Sequence, residues 1–134
     1  MTEAKIKIIS QAIGRRKLAI ASVRLIPGNG EITVNGKPSS TYFPGLLAAK
    51  RLSLPFTTTS TSKYSATVKV HGGGLVGQLD AVVLGLARAL VSAKESFKSS
   101  LRDANLLTRD PRARQRRMVG MGGKSRRRKQ SPKR

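Results

Sequence analysis

Apolar and polar residues alternate over Lys5-Ile6-Lys7-Ile8, a period of two that predicts a half-buried strand ending before a basic turn at Gly14-Arg15-Arg16-Lys17. The same period returns at Ala19, Ala21, Val23 and Leu25, with Ser22 and Arg24 on the other face, and predicts a second strand. Pro27-Gly28-Asn29-Gly30 is dense in turn formers, so Ile32-Thr33-Val34 is expected to pair back as the third strand of a hairpin, closed at Asn35-Gly36. The pattern then weakens. Tyr42-Phe43-Pro44-Gly45 breaks the chain, Leu46 to Leu52 has room for two helical turns, and Pro55 is expected to stop them. The polar run from Thr57 to Ser62 reads as an exposed loop. Ala66, Val68 and Val70 against Thr67, Lys69 and His71 predict a fourth strand.

After His71 the period changes. The glycine-rich stretch Gly72-Gly73-Gly74-Leu75-Val76-Gly77-Gln78 leads into a run (Leu79, Val82, Val83, Leu84, Leu86, Ala87, Leu90, Val91) that is apolar nearly all round, interrupted by Asp80 and Arg88. Such a helix must be covered by a sheet on one side and by another helix on its flank. Ser92 and Glu95 have capping-box spacing for that following helix, whose apolar stripe is Phe97, Leu101 and Ala104. The resulting fold class is α+β: a two-layer domain with a mainly antiparallel four-stranded sheet and helices on one face.

Charge alters this picture more than any motif does. The 134 residues carry 27 Lys and Arg against 6 Asp and Glu, a formal net charge of +21. Eleven of those cations lie from Arg112 onward, where no acid occurs and Met118, Val119 and Met121 are the only sizeable apolar residues. Alone, such a segment cannot bury enough surface to order itself, so a defined shape requires a polyanion. The chain is therefore expected to divide into a globular domain, residues 1–107, and an extended basic tail, residues 108–134, ordered on RNA. This balance points to nucleic acid, with an acidic membrane surface as the other option. Met1 to Ala4 lead straight into the alternating segment, with no apolar run long enough for a signal peptide or a membrane span, so no membrane partner is expected. Cysteine is absent, which removes disulfides and thiolate metal sites.

Gly72-x-Gly74-x-x-Gly77 satisfies a dinucleotide-binding fingerprint and sits between a predicted strand and a predicted helix. It lacks the second parallel strand with a terminal acid about 20 residues on. A tight turn that lets helix and strand pack closely is one reading. Another is a backbone approach to an RNA phosphate at the N-terminus of a helix. Gly122-Gly123-Lys124-Ser125 resembles the end of a phosphate-binding loop, but Met118 stands where its first glycine belongs and no strand precedes it. His71 is the only histidine, and the six acids are scattered singly, which leaves no donor set for a metal and no orienting partner for a catalytic base. No enzyme activity and no cofactor are expected. Arg15, Arg16, Lys17, Arg24, Lys69 and Arg88 sit on or beside layers whose other faces are apolar, so the sheet is expected to present a basic surface of its own. Five aromatics and no Trp leave few platforms on which single-stranded bases could stack. Recognition by backbone and shape, as suits a large folded RNA, is what remains.

The ordered set Gly14-Arg15-Arg16-Lys17, Pro27-Gly28-Asn29-Gly30, Tyr42-Phe43, Gly72-Gly73-Gly74-x-x-Gly77-Gln78, Arg88-Ala89-Leu90, Leu101-Arg102, Leu107-Thr108-Arg109-Asp110 and a terminal Lys133-Arg134 resembles bacterial-type small-subunit ribosomal protein nine over most of residues 12–134. The resemblance implies a fold like domain two of small-subunit ribosomal protein five, seated on rRNA in the head of the small subunit. It also implies a tail that reaches the peptidyl-site tRNA, neighbouring ribosomal proteins as partners, no homo-oligomer, and a ribosome of a bacterial cytoplasm or a plastid. By position it assigns rRNA contact to Gly14, Arg15, Arg16, Lys17, Gly72, Gly73, Gly74, Gly77, Gln78, Arg88, Arg109, Arg112, Arg114, Arg116, Arg117, Lys124, Arg126, Arg127, Arg128 and Lys129, and tRNA contact to Lys133 and Arg134. The chain departs from the family at Gln130-Ser131-Pro132, where an aromatic residue and Ser commonly precede the final pair, and at Gly122-Gly123, where relatives carry more basic residues. Composition alone would also permit a free-standing architectural protein that compacts DNA or RNA.

Overall fold

The computed structural model describes residues 6–122. In chain order the elements are β1 (Ser10–Arg16), β2 (Ala19–Pro27), β3 (Ile32–Val34), β4 (Lys37–Pro38), α1 (Ser39–Tyr42), α2 (Leu46–Thr59), β5 (Tyr64–His71), α3 (Leu75–Ala93), a 3-10 turn (Glu95–Phe97) and α4 (Lys98–Asp103). The fold is α+β, but the sheet has five strands and is mixed. Its order is β1-β2-β5-β3-β4, with β3 parallel to β5 and every other pair antiparallel.

The first strand lies later than the alternation predicts. Ile6 to Ile9 have no regular structure, with Ile6 and Ile8 exposed, and Lys5 falls outside the described residues. The true β1 turns Ser10, Ala12, Gly14 and Arg16 toward the core and Ile13 outward. Its inward positions are small or polar because α3 lies too close for anything larger. Ser10 Oγ donates to the Ala89 carbonyl at 2.8 Å, and a Cβ on Gly14 would overlap the Ala81 carbonyl and stand 2.5 Å from the Gly85 nitrogen. The seam on α3 is correspondingly small: Gly77, Ala81, Gly85 and Ala89, four residues apart and so on one face. Gly14, Arg15 and Arg16 belong to the strand, and the turn is Lys17-Leu18.

β2 and β5 agree with the pattern: Ala19, Ala21, Val23 and Leu25 are buried, as are Ala66, Val68 and Val70. β3 does not pair back on β2. The eight-residue β5 occupies the place beside β2 along its whole length, while β3 offers only three residues and lies parallel on the far side of β5. Asn35 and Gly36, both at positive φ (49° and 79°), close a short hairpin between β3 and β4 instead. The Asn35 side chain extends the ladder, accepting from the Val70 N–H and donating to the Val70 carbonyl, each at 3.0 Å.

Pro55 does not stop α2, which continues to Thr59. Leu52, Pro55 and Phe56 bury one face. The hydroxyls of Thr57, Thr58 and Thr59 donate to the carbonyls of Ser53, Leu54 and Pro55 at 2.8–3.0 Å, so half of the expected polar loop is the last helical turn. Nor is there a capping box: Ser92 lies inside α3, which ends at Ala93, and the following turn has no side-chain cap. In α4 Leu101 is wholly buried, while Ala104, just past the helix end, is exposed.

By length and composition α3 could cross a bilayer, which the sequence pattern did not anticipate; here 56 % of that stretch is buried inside the domain. Leu86 and Leu90 are completely enclosed between the sheet and the other helices. Replacing Leu86 by Ala should cost about 2–5 kcal/mol, measured by urea denaturation, with no change in the midpoint as the contrary result.

Candidate nucleic-acid interface

Alternation along the strands sets one face of the sheet against the helices and leaves the other open. On the open face the register sets Arg15 opposite Ile20 and Ile20 opposite His71, with Ser22 between Ile13 and Lys69, and Arg24 between Gln11 and Thr67. Arg15, Arg24 and Lys69 are exposed, and none has a carboxylate within ion-pair distance among the described residues. Strand spacing of about 4.8 Å and about 3.4 Å per residue puts neighbouring cations about 8–12 Å apart. The face carries exposed cations beside Ile13 and Ile20 and no Phe, Tyr or Trp, suited to gripping a sugar-phosphate backbone more than to stacking bases.

A second basic surface forms where the tail leaves the domain. Leu106 and Leu107 pack against the core, and residues 111–121 are exposed throughout. Between them Arg16, whose side chain is only 13 % exposed, contacts Asp80 through Nε (3.6 Å) and Asp110 through Nη1 (2.9 Å). The same Nη1 donates to the backbone carbonyls of Arg112 (3.2 Å) and Asp110 (3.5 Å). Asp80 also binds Arg51 at 2.8 Å, and Asp110 takes the Arg112 guanidinium at 2.7–3.0 Å and the Arg112 N–H at 3.0 Å. The side-chain and backbone hydrogen bonds from Arg112, with a further charge from Arg16, hold the Asp110 carboxyl far below the usual carboxylate range, and Asp110 in turn raises Arg112. Past this point Ala113 and Arg114 share a cleft of about 510 Å³ with Lys17, Leu18 and Gly73 to Gly77 at the N-terminus of α3. That terminus has no side-chain cap and no acid in its first turn, leaving backbone N–H groups and the positive end of the helix dipole for an anion. A cleft of about 740 Å³ between β3 and α2 contains no basic side chain.

The residues singled out from the sequence therefore separate. Arg15, Lys17 and Gly72 to Gly74 lie at the surface, as do Arg109, Arg112, Arg114, Arg116 and Arg117. Gly14 and Gly77 are buried in the β1–α3 seam, Gly14 tightly against the α3 backbone and Gly77 more loosely, where it also lines the cleft at the N-terminus of α3. Gln78 is also buried: it accepts from the Tyr42 hydroxyl at 2.8 Å and donates to the Gly72 carbonyl at 3.0 Å, bracing the glycine turn. Arg88 donates to the Ile13 carbonyl at 3.0 Å, and Arg16 is committed to its two carboxylates. Lys124, Arg126, Arg127, Arg128, Lys129, Lys133 and Arg134 lie outside the described residues. After the glycine turn α3 leads to α4 and not to a parallel strand, so the dinucleotide reading has no βαβ unit to stand on. What the sequence concealed is the junction: Asp80 and Asp110, thirty residues apart and apparently single, converge on Arg16. The one acid in an otherwise basic stretch was the available signal.

A family model described as Ribosomal protein S9/S16 matches residues 14–134. The chain belongs to that family. Among S9/S16 relatives, the small ribosomal subunit protein uS9 of Gloeothece citriformis is 45 % identical over 122 residues, covering 90 % of this chain and 89 % of its own. The uS9 proteins of Synechocystis (45 % over 117 residues, 86 % and 85 %) and Malacoplasma penetrans (42 % over 114 residues, 84 % and 88 %) are similar over nearly the same span. The S9/S16 match takes in the basic run as well as the globular part, so domain and tail fall within one family pattern.

Proposed function

We propose that this S9/S16 member is a structural constituent of the small ribosomal subunit that binds rRNA through two surfaces, the open sheet face and the basic tail from Thr108 onward. What carries the reading is family membership, joined to exposed cations on both surfaces, among them Arg15, Arg24, Lys69, Arg114, Arg116 and Arg117, which have no ion-pair partner among the described residues. The globular part, residues 1–107, acts as the rigid base, and residues 108–134 thread structured RNA in the subunit head, beside neighbouring ribosomal proteins. Lys133 and Arg134 reach the tRNA in the peptidyl site of a bacterial or plastid ribosome. The action is positioning: the domain anchors the tail and raises its effective concentration where it binds.

Co-sedimentation with small subunits tests the core of this reading. The chain should travel with the small subunit, whereas a free-standing architectural protein would bind duplex DNA and structured RNA equally and be recovered off ribosomes. Deleting Lys133 and Arg134 should leave incorporation intact and weaken tRNA retention in the peptidyl site; unchanged tRNA affinity in the truncated subunits would remove tRNA contact from the proposal. On the sheet face, Arg24→Ala with Lys69→Ala should lower rRNA affinity by about tenfold or more through the loss of two phosphate contacts. Thermal stability should be unchanged, because neither side chain packs. Equal affinity would exclude the sheet as a contact surface.

A further inference from the structure

Two of the six acids in a chain of charge +21 meet at one nearly buried arginine, and that arginine also grips the backbone on either side of Pro111. We propose that Asp110, held through Arg16 against Asp80, is a positioning clamp that fixes the direction in which the basic tail leaves the domain. This rests on the reading of the tail as an RNA-binding segment. A lone acid among cations is otherwise a liability there, since it subtracts from the charge that draws in RNA. At Asp110 the carboxylate does something a neutral residue could not. It joins the guanidinium of Arg16, anchored on the domain, to that of Arg112 at the start of the tail, and the chain beyond then lies beside the N-terminus of α3 with Arg114 next to Lys17. Leu107 ties down the near end of the segment. A tail leaving at a set angle loses less freedom when it binds a shaped RNA than one that swings from Leu107.

Net charge and clamping predict opposite signs for Asp110→Asn in the full-length chain. By charge alone the variant binds every polyanion more tightly, with a steeper salt dependence. With the clamp lost, affinity for purified small-subunit rRNA should fall about tenfold as preorganisation is removed, while affinity for heparin, which has no fixed shape to match, rises. Hydrogen exchange on the free chain reads the clamp directly: the amide of Arg112, which donates to Asp110 Oδ1, should lose protection in Asp110→Ala and keep it in Arg109→Ala. Unchanged protection, or rRNA affinity equal to or above that of the unaltered chain, overturns the clamp. If the unaltered chain fails to bind rRNA, the ribosomal reading falls, and exchange in the free chain still decides the clamp.

Discussion

Gly14→Ala should destabilise the domain by about 3 kcal/mol, the upper part of the range for overpacked cores. The reason is local. The added methyl would overlap the Ala81 carbonyl and stand 2.5 Å from the Gly85 nitrogen; both are backbone atoms of α3, with no flexible side chain to swing aside. To admit the methyl the helix must lift from β1, which loosens the Ser10–Ala89 hydrogen bond and the packing of Val23 on Gly85. For a domain of this size the melting temperature should fall by more than about 10 °C. Gly77→Ala is the paired control. It lies on the same seam, yet its Cβ would meet the Arg16 carbonyl at 3.7 Å and the Ala19 Cβ at 3.9 Å, ordinary contacts, and alanine suits a helix interior better than glycine by about 1 kcal/mol. Thermal unfolding followed by circular dichroism should put the two variants on opposite sides of the unaltered chain. A fall of equal size in both would mean that the seam is not as closely packed as described.

That seam also marks the limit of what hydrophobic periodicity reveals. β2, β5 and α3 are legible because their buried positions are large and apolar, so a period of two or an all-round apolar run appears directly in the sequence. β1 is buried as firmly, but against a helix so near that only Ser10, Ala12 and Gly14 fit. Its one large apolar side chain, Ile13, points outward, and the eye is drawn to Ile6 and Ile8. The four-residue spacing of Gly77, Ala81, Gly85 and Ala89 was a usable sign of close approach, hidden inside a run that is apolar everywhere. The partner of β3 depends on competition with β5, which lies thirty residues further on, and no local turn chemistry reports it. The end of α2 depends on tertiary burial of Leu52 and Phe56, and on threonine hydroxyls bonding backward, which together outweigh the donor lost at Pro55. At the interface, exposed cations were legible as charge. Which of them are already neutralised was not, because the pairing of Arg16 with Asp80 and Asp110 joins three distant stretches.

Ending the chain after Ala113 should abolish most of its affinity for structured RNA while leaving its stability intact. This truncation removes ten cations, Arg114 to Arg134, but keeps the whole core, both leucines at the base of the tail and the ion pairs around Asp110. If tail and open face together neutralise about 6–10 phosphates, binding by the full chain weakens about 10³–10⁵-fold between about 50 and 200 mM salt. The slope of log affinity on log salt measures the phosphates engaged, at about 0.9 per contact on a duplex and about 0.7 on a single strand. Filter binding to small-subunit rRNA across that range should therefore show a clearly shallower slope in the truncated chain. The residual slope is the contribution of Arg15, Lys17, Arg24 and Lys69 with Arg109 and Arg112, and it should shrink further on adding Arg24→Ala and Lys69→Ala. An unchanged slope after truncation would mean that the tail contributes no phosphate contacts, and the domain alone would then have to account for RNA binding. A slope near zero after truncation would instead remove the open sheet face from the interface. The two surfaces are separable because one is a rigid array of side chains on paired strands, intact whatever follows residue 113, and the other is a chain of cations whose direction is set at Asp110.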